Sequence, residues 1–398
     1  MLCNIKLGDM QMKKIILLKG QVETLEFFSK RLNIYLKKLG YETFIFDLQG
    51  SEEQIEELEN FVEFGNTTLL TYNFNGISGE NIFLDEQGKL FFDAFLIRCV
   101  NIVVDHPMYY YKYYNRLPKD YHQINIDRTH KQYMQEYYED VDANYFIPLC
   151  GTRLKRDIKP IKEKDMDLVF TGNYTPPSTF LKYIKRIDKE YEDFYMGIID
   201  DLIANNDKTM EEVFNEHIKR EEKDVSKKEL CLTHSNMTFI DLYVRFYYRE
   251  KVIKEICESG IKIDVYGAGY ELMDCKNKEN MIIHGSQNTK GCIDAIYNSK
   301  MSLNVMPWFK DGAHDRVYTT MLNGTVCITD KSKYLIDELE DGKDICFYDL
   351  SDIKKAPAWI NKLLKDEELM AEIAYNGERK ASRYHTFKNV VDELINIL

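Results

Sequence analysis

At 398 residues the chain is long for a single core, and its 44% hydrophobic and 30% charged residues make the balance of a folded two-domain protein rather than a disordered one. A net charge of -13 without a basic stripe argues against a nucleic-acid backbone as partner, so any phosphate must be met by local amides and a few placed cations. Nine cysteines, odd in number and lacking a C-x-x-C pair, argue against a disulfide framework and place the protein in a reducing cytoplasm; the leading MLCNIKLGDMQMKK is no signal peptide, and no run is long enough to span a bilayer.

In chain order, KKIILL (13–18) reads as a first strand. Apolar residues at helical spacing follow, Leu25, Phe28, Leu32, Leu36 and Leu39, and stop at Gly40 as a C-terminal cap would. TFIFDL (43–48), an acidic helix (52–64), TTLLTY (67–72), VNIVVDHP (100–107), HQINIDR (122–128), a Tyr-rich helix (129–139) and NYFIP (144–148) continue the alternation. The tyrosines after Pro107 are expected to spread around a helix, most of them as packing. A second unit opens at DLVFTGNY (167–174). Residues of about 178–259 turn helical and charged, which predicts a helical insertion; within it Arg245 and Arg249 share a helix face, with a solvated or interdomain role expected. Strands resume at KIDVYGAGYE (262–271), NMIIHG (280–285), KMSLNVMP (300–307), TVCITD (325–330) and ICFYDL (345–350), with a helix over about 316–323.

Strand and helix in alternation predict an α/β protein with two Rossmann-like domains facing across a cleft. The first is expected over 1–160 on the acceptor side and the second, with its insertion, over 161–380, while 381–398 form a closing helix that crosses back.

Chemistry should gather at the C-terminal edges of the strands. In 308–330 a loop with Asp311, Gly312, His314 and Asp315 runs into a helix bearing Arg316, so free amides and a guanidinium would meet an anion such as a diphosphate. Asp311 or His314 would hold sugar hydroxyls and Gly312 would let the backbone approach; the competing reading is a solvated loop with Asp315 as helix cap. The two glycines of YGAGYE resemble part of a nucleotide-binding turn without its third glycine; Gly267, Gly269, Tyr270, His284 and Gly285 would line one rim for a base and ribose. Thr171, Gly172 and Asn173 read equally as a phosphate-contacting turn or a plain strand-to-helix turn. In the first unit Asp105 and His106 end an apolar strand stopped by Pro107 and would face the cleft, His106 as a sugar contact or proton-transfer group. A weaker candidate of the same kind is the strand end at Asp127, Arg128 and His130. No acidic pair, Asp200–Asp201 included, has ligand spacing for a metal.

Taken together, VVDHPMYYYKYYNRLPKDY, NIDRTHKQYMQEYY, DLVFTGNYTPP, DVYGAGYE, NSKMSLNVMPWFKDGAHDRVYTTMLNGTVCITD and the closing RYHTF resemble bacterial glycosyltransferases of the spore-maturation CgeB type. More distantly they are similar to group-1 transferases with the two-Rossmann GT-B fold. The resemblance implies a nucleoside-diphosphate sugar donor, expected to be a UDP-sugar, metal-independent transfer of a hexose or N-acetylhexosamine, and donor contacts in the second unit. The acceptor, a protein or glycan, is unassigned. The group-1 pattern carries two carboxylates eight positions apart; here Asp311 matches the first and Thr319 replaces the second, which leaves retention or inversion open. By the same resemblance His106 takes a sugar-contact or catalytic role, with Asp105 beside it. Two alternatives stand: a nucleotide-sugar epimerase on the same scaffold, and a non-catalytic spore- or cell-surface protein.

Overall fold

The computed structural model describes residues 13–398 apart from 21, 222 and 223. The first lobe is a six-stranded parallel sheet of β1 (Lys14–Lys19), β2 (Glu42–Asp47), β3 (Thr67–Tyr72), β4 (Arg98–Val103), β5 (Tyr121–Asn125) and β6 (Asn144–Phe146), in the spatial order β2-β1-β3-β4-β5-β6. The second is built from β7 (Met166–Thr171), β8 (Ile263–Tyr266), β9 (Met281–Gly285), β10 (Ser299–Asn304), β11 (Val326–Asp330) and β12 (Cys346–Tyr348), in the order β12-β11-β10-β7-β8-β9. Every pairing is parallel. All six residues of β3 and all five of β11 are buried, as expected of strands covered by helices on both faces.

Between β7 and β8 the chain forms the helices Lys189–Ala204, Met210–Glu221, Lys227–Asn236 and Thr238–Glu258. This insertion does not stay with the second sheet. Its Val213, Phe214 and Leu230 share a core with Met108 and Tyr133 of the first lobe, and the Tyr109 hydroxyl donates to Asp241 Oδ2 at 2.6 Å. The tyrosines after Pro107 form two short 3-10 turns, Pro107–Tyr110 and Tyr113–Asn115, in place of the expected helix; their rings pack around Phe74 and against the insertion. The last helix, Phe387–Leu394, lies on Glu23–Lys38 of the first lobe, with the Phe28 and Phe387 rings 5.8 Å apart. No helix among the described residues is long and apolar enough to cross a membrane.

The lobes meet through a continuous core. Leu25, Phe28, Leu70 and Ile124 of one pack in the same cluster as Met306, Phe309, Val317 and Tyr318 of the other. A polar contact fixes the register. Asp127, fully buried at the end of β5, accepts from the backbone N–H of Thr129 on its own helix and from those of Lys310 and Asp311 across the boundary, the last two at 3.0 Å. Arg128 N–H returns a bond to the Asp311 carbonyl, and its guanidinium reaches Asp311 Oδ1 at 3.1 Å. Gly312 lies so close that a Cβ there would collide with the Ile126 carbonyl. A buried carboxylate is tolerated only with such donors, so removing it strands three amides. Asp127→Ala is expected to destabilise the protein by about 2–4 kcal/mol, read as a clear fall in the thermal or urea midpoint; an unchanged midpoint would refute the clamp.

Candidate functional site

In each sheet the strand order reverses once, between β1 and β3 in the first lobe and between β7 and β10 in the second. Connections leave such a point in opposite directions and open a crevice at the carboxyl ends of the strands. Both crevices open into one cavity of about 480 Å³ between the lobes, a size suited to a small organic ligand. The first lobe lines it with Glu23 and Thr24 after β1, Asn73 after β3 and Asp105 after β4. The second contributes Thr171, Gly172 and Asn173 after β7, Gly267 after β8, and Trp308, His314, Asp315 and Arg316 after β10.

The turn after β7 is held from behind. Gly172 N–H donates to the Tyr266 carbonyl at 2.8 Å, and Asn173 Oδ1 accepts from Ala268 N–H at 3.0 Å. A Cβ on Gly267 would strike the Gly172 carbonyl, and one on Gly269, whose φ is +93°, the Tyr174 carbonyl. These glycines therefore let two strand-end loops touch. Tyr270 is wholly buried and donates to the Gly172 carbonyl at 2.7 Å; the Gly285 carbonyl accepts from Gly267 N–H. His284 lies 2.6 Å from Asp264 and stacks on Tyr266 with ring centres 4.2 Å apart. Gly269, Tyr270, His284 and Gly285 thus do not line the cavity, a correction to the expected rim; Tyr270 is buried behind it and His284 lies exposed on the edge strand β9. Close loop packing takes the place of ligand contact.

Arg316 sits in the first turn of the helix Asp315–Leu322. Its Nη1 donates to Asn304 Oδ1 at 2.8 Å, and its guanidinium lies 5.5 Å from the Phe170 ring centre. Arg249, from the insertion, approaches the same ring to 5.4 Å and donates to the Asn173 carbonyl. Both guanidiniums have neutral hydrogen-bond acceptors, and Arg249 Nε has none among the described residues. Burial lowers the pKa of each; for Arg249, with the charges of Arg316 and Arg245 adding to it, the value falls to about 10. Asp315, beside Arg316 in sequence, lies 2.8 Å from His314 Nδ1, and His314 with Arg316 keeps it ionised against burial. Arg316 on the wall and Arg249 behind it are thus held by neutral acceptors, which leaves the Arg316 guanidinium able to meet an incoming anion.

His314, not Asp315, caps the helix: its Nδ1 accepts from Arg316 N–H at 3.1 Å. That bond needs a bare Nδ1, whereas the contact with Asp315 needs a proton there, so the two belong to different tautomers. Burial and Arg316 lower the His314 pKa and favour the neutral ring. Thr319 lines the cavity and accepts from Thr152 N–H across the lobe boundary at 3.1 Å. Asp311 and Gly312 do not line it; the clamp around Asp127 uses them, which replaces the expected sugar contact with a structural one.

On the facing wall, Asp105 Oδ2 accepts from Asn73 Nδ2 at 3.1 Å and the Tyr110 hydroxyl at 2.9 Å, so the carboxylate is oriented by neutral donors. His106 turns the other way. It is 3% exposed and does not line the cavity; its Nε2 lies 3.3 Å from Glu211 Oε2 of the insertion, and its ring packs against His130 and Tyr133. Burial alone would raise the Glu211 pKa, but the pairing with His106 overrides it and brings the value to about 2. Burial, with His106 adding to it, lowers His130 to about 4. The insertion supplies a partner that draws His106 out of the cleft.

Several lining residues escaped the sequence reading. Glu23 Oε2 accepts from Thr289 N–H at 3.0 Å and the Thr289 hydroxyl at 2.5 Å, joining the lobes at the cavity edge. Trp308 stacks beneath Arg245, whose guanidinium is 4.4 Å from the indole and paired with Asp241; of the solvated or interdomain role expected, Arg245 takes the interdomain one on the cavity between the lobes, and Arg249 is buried against the turn after β7. Trp308, one of only two tryptophans, beside a strand-ending proline, was the available signal. Glu23 and Thr289 carried none. Among the described residues no group of three or more His, Cys, Asp or Glu side chains is placed to hold a metal.

Two parallel-sheet lobes with their switch points face to face define the GT-B glycosyltransferase fold. Residues 249–396 match the family described as Glycosyl transferase-like. Among solved structures, sucrose-phosphate synthase from Thermosynechococcus elongatus is similar with a TM-score of 0.54 at 11% identity, over 97% of this chain and 98% of that one. Anabaena HepE, solved in complex with UDP, gives 0.52 at 10% identity over 97% and 100%. TarM gives 0.47 at 14% identity over 86% of this chain, which spans 57% of TarM's length. A search of the curated proteins finds no sequence match.

Behind the loop after β10, Asp330 is 1% exposed and accepts from Met306 N–H at 2.8 Å. Burial raises its pKa from 3.8 to about 7. A carboxyl raised on folding stabilises below its unfolded value and loses that contribution as pH climbs through the folded one, here from about 4 to 7. Between pH 5 and 8 the stability difference should move in favour of Asp330→Asn by about 2–3 kcal/mol. Urea melts of both proteins measure this, and a pH-independent difference would contradict it.

Proposed function

We propose that this chain is a glycosyltransferase that moves a hexose or N-acetylhexosamine from a nucleoside-diphosphate sugar, a UDP-sugar foremost, to an acceptor seated against the first lobe. One observation carries the reading: two facing crevices share a cavity with the buried guanidinium of Arg316, held only by a neutral acceptor, on one wall and an oriented carboxylate on the other. The family match over 249–396 and the UDP bound in HepE support the choice of donor.

In this reading the diphosphate lies along Arg316 and the first amides of the Asp315–Leu322 helix, beside the turn of Thr171, Gly172 and Asn173. Charge grows on the departing diphosphate as the glycosidic bond breaks. A fixed guanidinium and helix dipole stabilise it without reorganising. Trp308 offers an aromatic face to the sugar and Asp105 accepts from a sugar or acceptor hydroxyl. The Glu23–Thr289 contact holds the lobes together at the cavity edge, which limits water and hydrolysis of the donor. His106 acts through Glu211, by fixing the insertion, without touching substrate. The guanidiniums take the place of a cation, so turnover should survive EDTA. The likeness to the CgeB type belongs to this same proposal.

Purified protein incubated with a panel of nucleotide sugars should turn over at least one. Arg316→Ala should lower kcat/KM for it by about 10²–10³-fold, with the melting temperature little changed. Asp105→Asn should lower kcat more than it raises the donor KM. Unchanged turnover in Arg316→Ala would overturn the assignment.

A further inference from the structure

Lys164 is 4% exposed, and its ammonium has an unusual set of partners. Its Nζ donates to the Tyr297 carbonyl at 2.9 Å, the Asn323 carbonyl at 3.0 Å and the Thr325 hydroxyl at 2.7 Å. Tyr297 is the last residue of the helix Thr289–Tyr297, and Asn323 caps the end of Asp315–Leu322. The Thr325 hydroxyl itself bonds the Ile296 carbonyl at 2.7 Å. One cation therefore joins the carboxyl ends of two helices whose other ends reach the cavity, through Thr289 and Cys292 in one and Asp315 and Arg316 in the other.

We propose that Lys164 is a positioning residue for donor binding: its ammonium ties together the C-terminal ends of these two helices and so sets the spacing of their N-terminal turns on the cavity, one at the diphosphate site and one at the Glu23 contact that joins the lobes. At 1.5 Å per residue the helices are about 12–14 Å long, short enough to move as rods, so a shift where they meet is carried to the cavity. A cation at a helix C-terminus is favourable, and here it answers two macrodipoles at once. Burial, with Lys159 adding to it, lowers the Lys164 pKa to about 7, and no carboxylate contributes to that shift. Lys159 itself is paired with Asp165 at 2.8 Å. Packing alone would be met more cheaply by an apolar side chain. The inference rests on the donor reading above for the identity of the anion.

Amide hydrogen exchange without ligand, and calorimetric titration with UDP, test it on the full chain carrying Lys164→Met. Exchange should rise selectively in the first turns, 289–292 and 315–318, UDP affinity should fall at least tenfold, and Lys164→Arg should recover most of it. If the Met variant does not fold, Lys164→Gln, which can still donate to two of the three acceptors, takes its place. A uniform rise in exchange across the second lobe with unchanged UDP affinity would overturn the proposal. Selective exchange changes in a protein whose wild type binds no nucleotide would uphold the positioning and sink the donor reading.

Discussion

One buried carboxylate sets the geometry on which the site depends. Asp127, carried by the first lobe, takes amide hydrogen bonds from Lys310 and Asp311 of the second, where the chain leaves β10 for the cavity. A buried charge is stable only with its donors in place, so the loop has one position relative to β5. That position brings Trp308, His314 and Arg316 opposite Asp105. The apolar core that crosses the boundary supplies the attraction between lobes; the polar clamp supplies the register.

The charge that an anion would meet in the cavity is set locally and not by the molecule as a whole. At a net charge of -13 the protein as a whole repels anions. Arg316 and Arg249 nevertheless share the Phe170 ring with only neutral hydrogen-bond acceptors, and burial lowers the pKa of both. Such a wall is costly when empty and favourable when an anion completes it. Precise amides and guanidiniums can therefore hold a phosphate where no long-range field would deliver one.

The insertion changes what the first lobe presents. It brings Glu211 to His106 and Asp241 to Tyr109, and it places Arg245 and Arg249 at or behind the cavity wall. It belongs in sequence to the second lobe and packs on both. A segment that reads as featureless charged helix thus decides which of two adjacent strand-end residues faces the cavity.

Alternation of β-rich and amphipathic runs was enough to locate all twelve strands and two parallel-sheet lobes, because those periodicities are local and each is satisfied within a few residues. That Thr171 to Asn173 and the stretch through Arg316 line the cavity was legible for the same reason: they follow strands, and the crevice in such sheets opens at strand ends. Side-chain direction beyond a strand end was not legible. Asp105 and His106 are neighbours in sequence, as are Asp311 and Asp315 nearly so, yet one of each pair lines the cavity and the other is taken by a contact with a distant partner, Glu211 or Asp127. Those partners lie more than a hundred residues away along the chain, and only the packing of lobes and insertion brings them within reach. The order of strands, the pairing of Glu23 with Thr289 and the convergence of two helices on Lys164 were likewise decided by tertiary structure, since each depends on which surfaces are buried together rather than on any pattern a short window contains.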